Sequence, residues 1–156
     1  MRVAIGSDHA GLEMKNEVMA VLKEMGHESQ DFGTDRPQSV DYPDFGEKVS
    51  DAVSRGVVER GVLICGTGIG MSIVANKFRN IRAALCNDLF SAKMSRLHND
   101  SNILVLGGRV IGKDLAKEIV KTWMSTPFEG GRHENRLLKI RLIEEKTITK
   151  GDCRQS

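Results

Sequence analysis

Short runs of continuous apolar residues alternate with stretches of helical periodicity along almost the whole chain, and that rhythm leaves few architectures open. Val3-Ala4-Ile5, Val62-Leu63-Ile64-Cys65 and Ile103-Leu104-Val105-Leu106 are apolar at every position rather than every second one, so each reads as a strand buried on both faces. Helical patterns run from Leu12 to Met25, from near Gly70, from Asp88 to Leu97 and from Lys113 to Met124. A strand near Ile81 to Leu85 keeps the rhythm, and weaker signals place a short strand near His27 to Phe32 and a helix over about Phe45 to Arg55. The pattern predicts an α/β fold: three layers, doubly wound, with a mainly parallel five-stranded sheet carrying helices on both faces, Rossmann-like. Such a sheet offers ligands the loops at the carboxyl ends of its strands.

A chain of 156 residues can bury an independent core as one domain, expected over residues 1–146, with Thr147 to Ser156 as a polar tail carrying Gly151. The cysteines, at 65, 86 and 153, are odd in number and form no Cys-x-x-Cys pair, which points to reduced thiols. The opening Met1-Arg2-Val3-Ala4-Ile5-Gly6 has no signal-peptide pattern, and no apolar run is long enough to span a bilayer, so a cytoplasmic protein is expected. A net charge of +2 with interspersed signs, and only 4% aromatic residues, argue against nucleic-acid and membrane partners.

The chemistry concentrates at Cys65-Gly66-Thr67-Gly68-Ile69-Gly70, where an apolar strand turns through three glycines into a helix. Glycines let backbone N–H groups approach an anion, the helix adds its positive end, and both favour thiolate over thiol. Glycine for packing and cysteine as a small hydrophobe would account for the same residues. Nucleotide signatures fail: the spacing is not Gly-x-Gly-x-x-Gly, and Leu12-Glu13 stands where a P-loop from Gly6 to Gly11 needs Lys-Ser/Thr.

Asp8 and His9 follow the first strand, where a carboxylate and an imidazole can exchange protons or bind phosphate oxygens; Asp8 as a helix cap is the alternative. Arg109 follows Gly107-Gly108 after the fifth strand. Arg132 and Arg136 share one face of a final helix, extended by Lys139, either gripping a phosphate or forming a solvated basic face. His98, closing the helix before the fifth strand, is a proton carrier or simply a cation at a helix end. His27 and His133 have no metal-ligand partner at characteristic spacing, so no metal is expected.

Read in order, Gly6-Ser7-Asp8-His9-Ala10-Gly11, Cys65 to Gly70, His98-Asn99-Asp100 and Gly130-Gly131-Arg132-His133 closely resemble the type B ribose-5-phosphate isomerases, from Met1 to about Glu145. The wider family includes galactose-6-phosphate and allose-6-phosphate isomerases. The resemblance implies cofactor-free and metal-free interconversion of ribose 5-phosphate and ribulose 5-phosphate through a cis-enediol, in the non-oxidative pentose phosphate pathway. It implies that Cys65 moves a proton between C2 and C1; some relatives use a glutamate six residues later, where this chain has Met71. By the same resemblance the amides from Gly66 through Gly68 and Ile69 to Gly70 hold the enediolate oxygen, and Thr67 and His98 open the sugar ring. Asp8, Tyr42 and Asn99 contact the sugar, while His9, Arg109, Arg132 and Arg136 bind its phosphate. The last two reach across a homodimer interface in the family, and a tetramer is compatible.

Two other functions share these residues. A noncatalytic sugar-phosphate sensor could use the same turn and arginines, although a pure binding site gains little from a thiol there. A thiol hydrolase would need acyl-transfer machinery that the chain does not display.

Overall fold

A computed structural model describes the backbone of residues 1–151 and the side chains through Thr147. The described residues form strands β1 (Arg2–Ser7), β2 (Glu28–Asp31), β3 (Arg60–Cys65), β4 (Ala83–Leu85) and β5 (Ile103–Gly107). The helices are α1 (Leu12–Glu24), α2 (Tyr42–Ser54), α3 (Ile69–Ala75), α4 (Leu89–Leu97), α5 (Lys113–Ser125) and α6 (Arg132–Gly151), with a 3₁₀ turn at His9–Gly11. The strand order is β2-β1-β3-β5-β4, and every pairing is parallel, so the sheet is wholly rather than mainly parallel.

The continuous apolar runs are explained by the alternation of their side chains between two cores. Val3, Ile5, Val62, Ile64, Leu104 and Leu106 pack with Met14, Val18 and Leu22 of α1 and Ile119, Val120 and Trp123 of α5. Ala4, Leu63, Cys65, Ile103 and Val105 pack on the other face with Val49 and Val53 of α2 and Met71 and Ala75 of α3. Each fully buried aliphatic side chain contributes about 1.5–3 kcal/mol, which is why the three central strands tolerate no polar alternation. Asn76 closes the edge strand β4: its amide nitrogen donates to Ala83 O and its amide oxygen accepts from Ala83 N–H, both at 3.0 Å.

The last helix stands apart from both cores. Leu138, Ile140, Leu142 and Ile143 of α6 are exposed, and Glu144 ties the helix back by accepting the Asn80 N–H at 2.9 and 3.1 Å. The expected polar tail overlaps α6 as far as Gly151, while residues 152–156, with Cys153, lie outside the described residues.

Candidate active site

β3 delivers Cys65 to the carboxyl rim of the sheet, where the pleat turns its side chain toward α3 and leaves it only 4% exposed. Gly68 takes φ +80°, the left-handed conformation that glycine adopts without strain. The Gly68 N–H points at Cys65 Sγ, 3.2 Å away. Thr67 is exposed, and its Oγ1 accepts the Ile69 N–H at 3.2 Å. Met71 is fully buried in the core beside Gly46 and offers no acid or base.

Neighbouring strand ends are stitched to the turn. Gly108 N–H donates to Cys65 O at 2.8 Å and Arg109 N–H to Gly66 O at 2.9 Å, so the Arg109 side chain lies along Gly66. Asp8 is buried and does cap the following turn, accepting the Gly11 N–H on Oδ1 at 3.1 Å, while its own N–H donates to Ile64 O at 3.3 Å. His9 accepts the Val40 N–H on Nδ1 at 3.2 Å. Tyr42 opens α2, and its ring lies where any β-carbon on Gly70 would fall. Beside this cluster a groove of about 350 Å³ runs between His9-Ala10-Glu13 and Gly108-Ile111-Lys113. Asp8, His9, Tyr42, Cys65, Thr67, the glycine turn and Arg109 therefore share one rim.

His98, Asn99, Arg132 and Arg136 do not. His98 ends α4 just before β5 begins, whereas Cys65 pairs with Gly107 where β5 ends. The intervening strand is about 13 Å long at ~3.3 Å per residue, so one chain holds the two groups at opposite rims. There His98 stacks on His133 with ring centroids 4.2 Å apart and an interplanar angle of 9°. Glu129 Oε2 lies 3.7 Å from His98 Nε2 and 3.6 Å from His133 Nε2, and Arg136 Nη1 lies 3.4 Å from His133 Nδ1. Burial lowers the His133 pKa, and His98, Arg132 and Arg136 lower it further against the opposing pull of Glu129. Arg82 clamps the bend, its Nε donating to Asn99 O and Asp100 O at 3.0 Å, while Asp100, at φ +45°, bridges Arg82 and Arg96.

His98, Glu129 and His133 bring three potential ligand atoms within 4.8 Å of one another. The expectation that His133 lacks such partners is therefore corrected: folding supplies neighbours that spacing along the chain conceals. Their arrangement still makes a poor cation cage, because two nearly parallel rings keep their in-plane lone pairs in separate planes and Arg132 and Arg136 add positive charge.

Residues 3–140 match the description of the ribose/galactose isomerases. The solved ribose-5-phosphate isomerase B of Clostridium thermocellum superposes with a TM-score of 0.92 at 55% identity, covering 94% of this chain and 99% of that one. Ribose-5-phosphate isomerase B of Escherichia coli is 48% identical over 145 residues, 93% of this chain and 97% of its own. The chain belongs to the ribose/galactose isomerase family. Another relative, the D-erythrulose-4-phosphate isomerase of Pectobacterium atrosepticum, is 41% identical over 147 residues, covering 94% of this chain and 97% of its own.

For this member of the ribose/galactose isomerases, sequence reasoning missed Val40, Glu129 and Arg82 at the two rims. Val40 acts through its backbone N–H, which no side-chain pattern announces. Glu129 directly precedes the Gly130-Gly131-Arg132-His133 run and was available as an acidic neighbour. Arg82 is one of many charges near a strand and becomes distinctive only through its contacts. No helix among the described residues is long and apolar enough to cross a membrane.

Proposed function

We propose that the protein is an aldose–ketose isomerase that interconverts ribose 5-phosphate and ribulose 5-phosphate through a cis-enediol, with Cys65 as the base. The observation that carries this reading is the Gly68 N–H directed at Cys65 Sγ at 3.2 Å, which holds the thiol at a turn rich in N–H donors. Burial of Met71, the position where some relatives place a glutamate, leaves the thiol as the group suited to the proton transfer.

Asp8, Thr67 and His98 assist ring opening. The Cys65 thiolate then takes the C2 proton of the open aldose, the electron pair forms the C1–C2 double bond, and the carbonyl π pair moves onto O1. N–H groups of Gly66 to Gly70 stabilise the negative charge as it develops, which is the differential binding that lowers a barrier. The 2-hydroxyl proton passes to O1, C2 becomes the carbonyl, and Cys65 returns its proton to C1, which regenerates the thiolate. His9 and Arg109 hold the phosphate at the other end of the sugar and so align C1 and C2 against the thiol. Asn99 contacts the sugar oxygens.

The separation of the two rims supports a site completed by a second copy, whose His98, Asn99, Arg132 and Arg136 meet the Cys65 rim of the first. Exposed Ile69 and Ile73 on α3 and the exposed apolar residues of α6 supply surface for such a homodimer, or for a tetramer of two dimers. Free thiols at Cys65 and Cys86 support a cytoplasmic setting.

The test is turnover of ribose 5-phosphate, allose 6-phosphate, galactose 6-phosphate and D-erythrulose 4-phosphate in EDTA, with Cys65→Ala as control. Ribose 5-phosphate turnover should survive EDTA and fall about 10²–10⁴-fold in the variant, the worth of a positioned acid–base group. Unchanged turnover in the variant contradicts the mechanism, and preference for a longer or shorter sugar reassigns the substrate.

A further inference from the structure

Lys15, on α1, is 2% exposed, although no step of the proposed reaction uses it. Withdrawing an ammonium from water costs several kcal/mol unless its partners are well placed. Here Nζ donates to Asp31 Oδ2 at 2.7 Å and to Thr34 O at 2.8 Å. The other carboxylate oxygen of Asp31 accepts the Gly33 N–H at 2.8 Å. The chain passes so closely over the ammonium that a β-carbon on Gly33 would lie 2.9 Å from Lys15 Cδ and 2.7 Å from Ser7 N. Thr34, itself buried, donates its N–H to Ser7 O at 3.0 Å and accepts the Arg36 N–H on its hydroxyl at 3.2 Å.

These ties pin the near end of the ten-residue connection, 32–41, that leads from β2 to α2. The far end of that connection meets the Cys65 rim twice: Val40 N–H donates to His9 Nδ1 at 3.2 Å, and Tyr42 rests against Gly70. The first contact selects a tautomer. With Nδ1 accepting, the proton of a neutral His9 ring sits on Nε2, which becomes a donor suited to an oxyanion. The short edge strand β2, mostly exposed, has no evident need of an ion pair with one buried partner, since replacing such a pair by hydrocarbon is often neutral or stabilising.

We propose that Lys15 is a positioning residue: through Asp31 and the Thr34 carbonyl it sets the 32–41 connection, which holds His9 as the Nε2–H tautomer that donates to the substrate phosphate. This rests on the phosphate-binding role read for His9 above.

The experiment compares wild type with Lys15→Met, and with Lys15→Met combined with Asp31→Asn should the single variant fail to fold. Melting temperature, KM and kcat for ribose 5-phosphate, and the ¹⁵N shifts of the His9 ring in ligand-free protein are measured. A KM raised about tenfold with kcat held and loss of the single Nε2–H pattern are expected, whatever the accompanying fall in melting temperature, the KM change being worth one hydrogen bond to a charged group. A wild-type KM with an unchanged tautomer overturns the proposal, as does a raised KM accompanied only by a lower melting temperature. If wild-type protein turns over no sugar phosphate, the isomerase reading falls, while the tautomer measurement still decides the link from Lys15 to His9.

Discussion

Replacing Gly68 by alanine tests whether the backbone of the glycine turn, and not merely its thiol, builds the site. At φ +80° an alanine costs about 1–2 kcal/mol for the left-handed conformation alone. Its β-carbon would lie 2.5 Å from Leu85 Cδ1 and 3.1 Å from the Leu106 carbonyl. Leu85 is half-buried and can shift, but the carbonyl belongs to the central strand β5, so overpacking adds about 1–3 kcal/mol. The sum, about 2–5 kcal/mol, should lower the melting temperature of a domain this size by roughly 4–20 °C. Gly26→Ala is the internal control: it has φ +77° and nothing within 4 Å of its β-carbon, so it carries the conformational cost without the clash. A drop of only about 2–8 °C is expected there, from ~1–2 kcal/mol. Gly68→Ala should also lose about 10²-fold in kcat as its N–H leaves the thiol, comparable to removing one oxyanion donor. Thermal melting by circular dichroism and initial-rate kinetics on ribose 5-phosphate provide both readouts. A Gly68→Ala variant that melts no lower than Gly26→Ala and turns over normally would refute the reasoning.

Two further outcomes follow from buried titratable groups. His133 and His27 are held below the ordinary imidazole value of 6.5, chiefly by burial, so the unfolded chain binds protons more readily than the native one. Their contribution to stability is present above that value and lost as pH falls below it toward the native pKa. Urea midpoints measured from pH 7.5 down to 5.5 should therefore decline, less steeply in His133→Gln; equal slopes would contradict the assignment. Burial pushes the Cys86 thiol up to about 11, whereas Cys65 accepts an N–H on its sulfur. Iodoacetamide at pH 8 followed by peptide mapping should modify Cys65 well ahead of Cys86, and the reverse order would remove the case for Cys65 as the reactive thiol.

The central strands were legible because burial on both faces demands an apolar residue at every position, and Val62 to Cys65 has no other reading in a chain of this pattern. The edges were less so: β4 shrinks to Ala83–Leu85, half-buried, and the Arg82 N–H before it donates to the Asn102 side chain at 2.8 Å instead of to a strand carbonyl. The Cys65 rim was readable from residues that follow strands, Asp8, His9, Cys65 and Arg109. The same rule, applied to His98, would have placed it at the opposite rim, since it precedes β5 rather than following it. Lys15 lay in an otherwise ordinary amphipathic helix, and its burial depends on a glycine eighteen residues later passing over it, a contact that no local periodicity encodes.

Complementation between two inactive variants most directly tests a Cys65 site completed by a second copy. Cys65→Ala and Arg136→Ala proteins are each assayed well below KM, then mixed, unfolded, refolded together and assayed again. In a mixed dimer one site carries both lesions and the other neither, and random pairing makes half the dimers mixed, so activity should rise to about a quarter of wild type. A refolded mixture no more active than the average of its two parents would contradict the account.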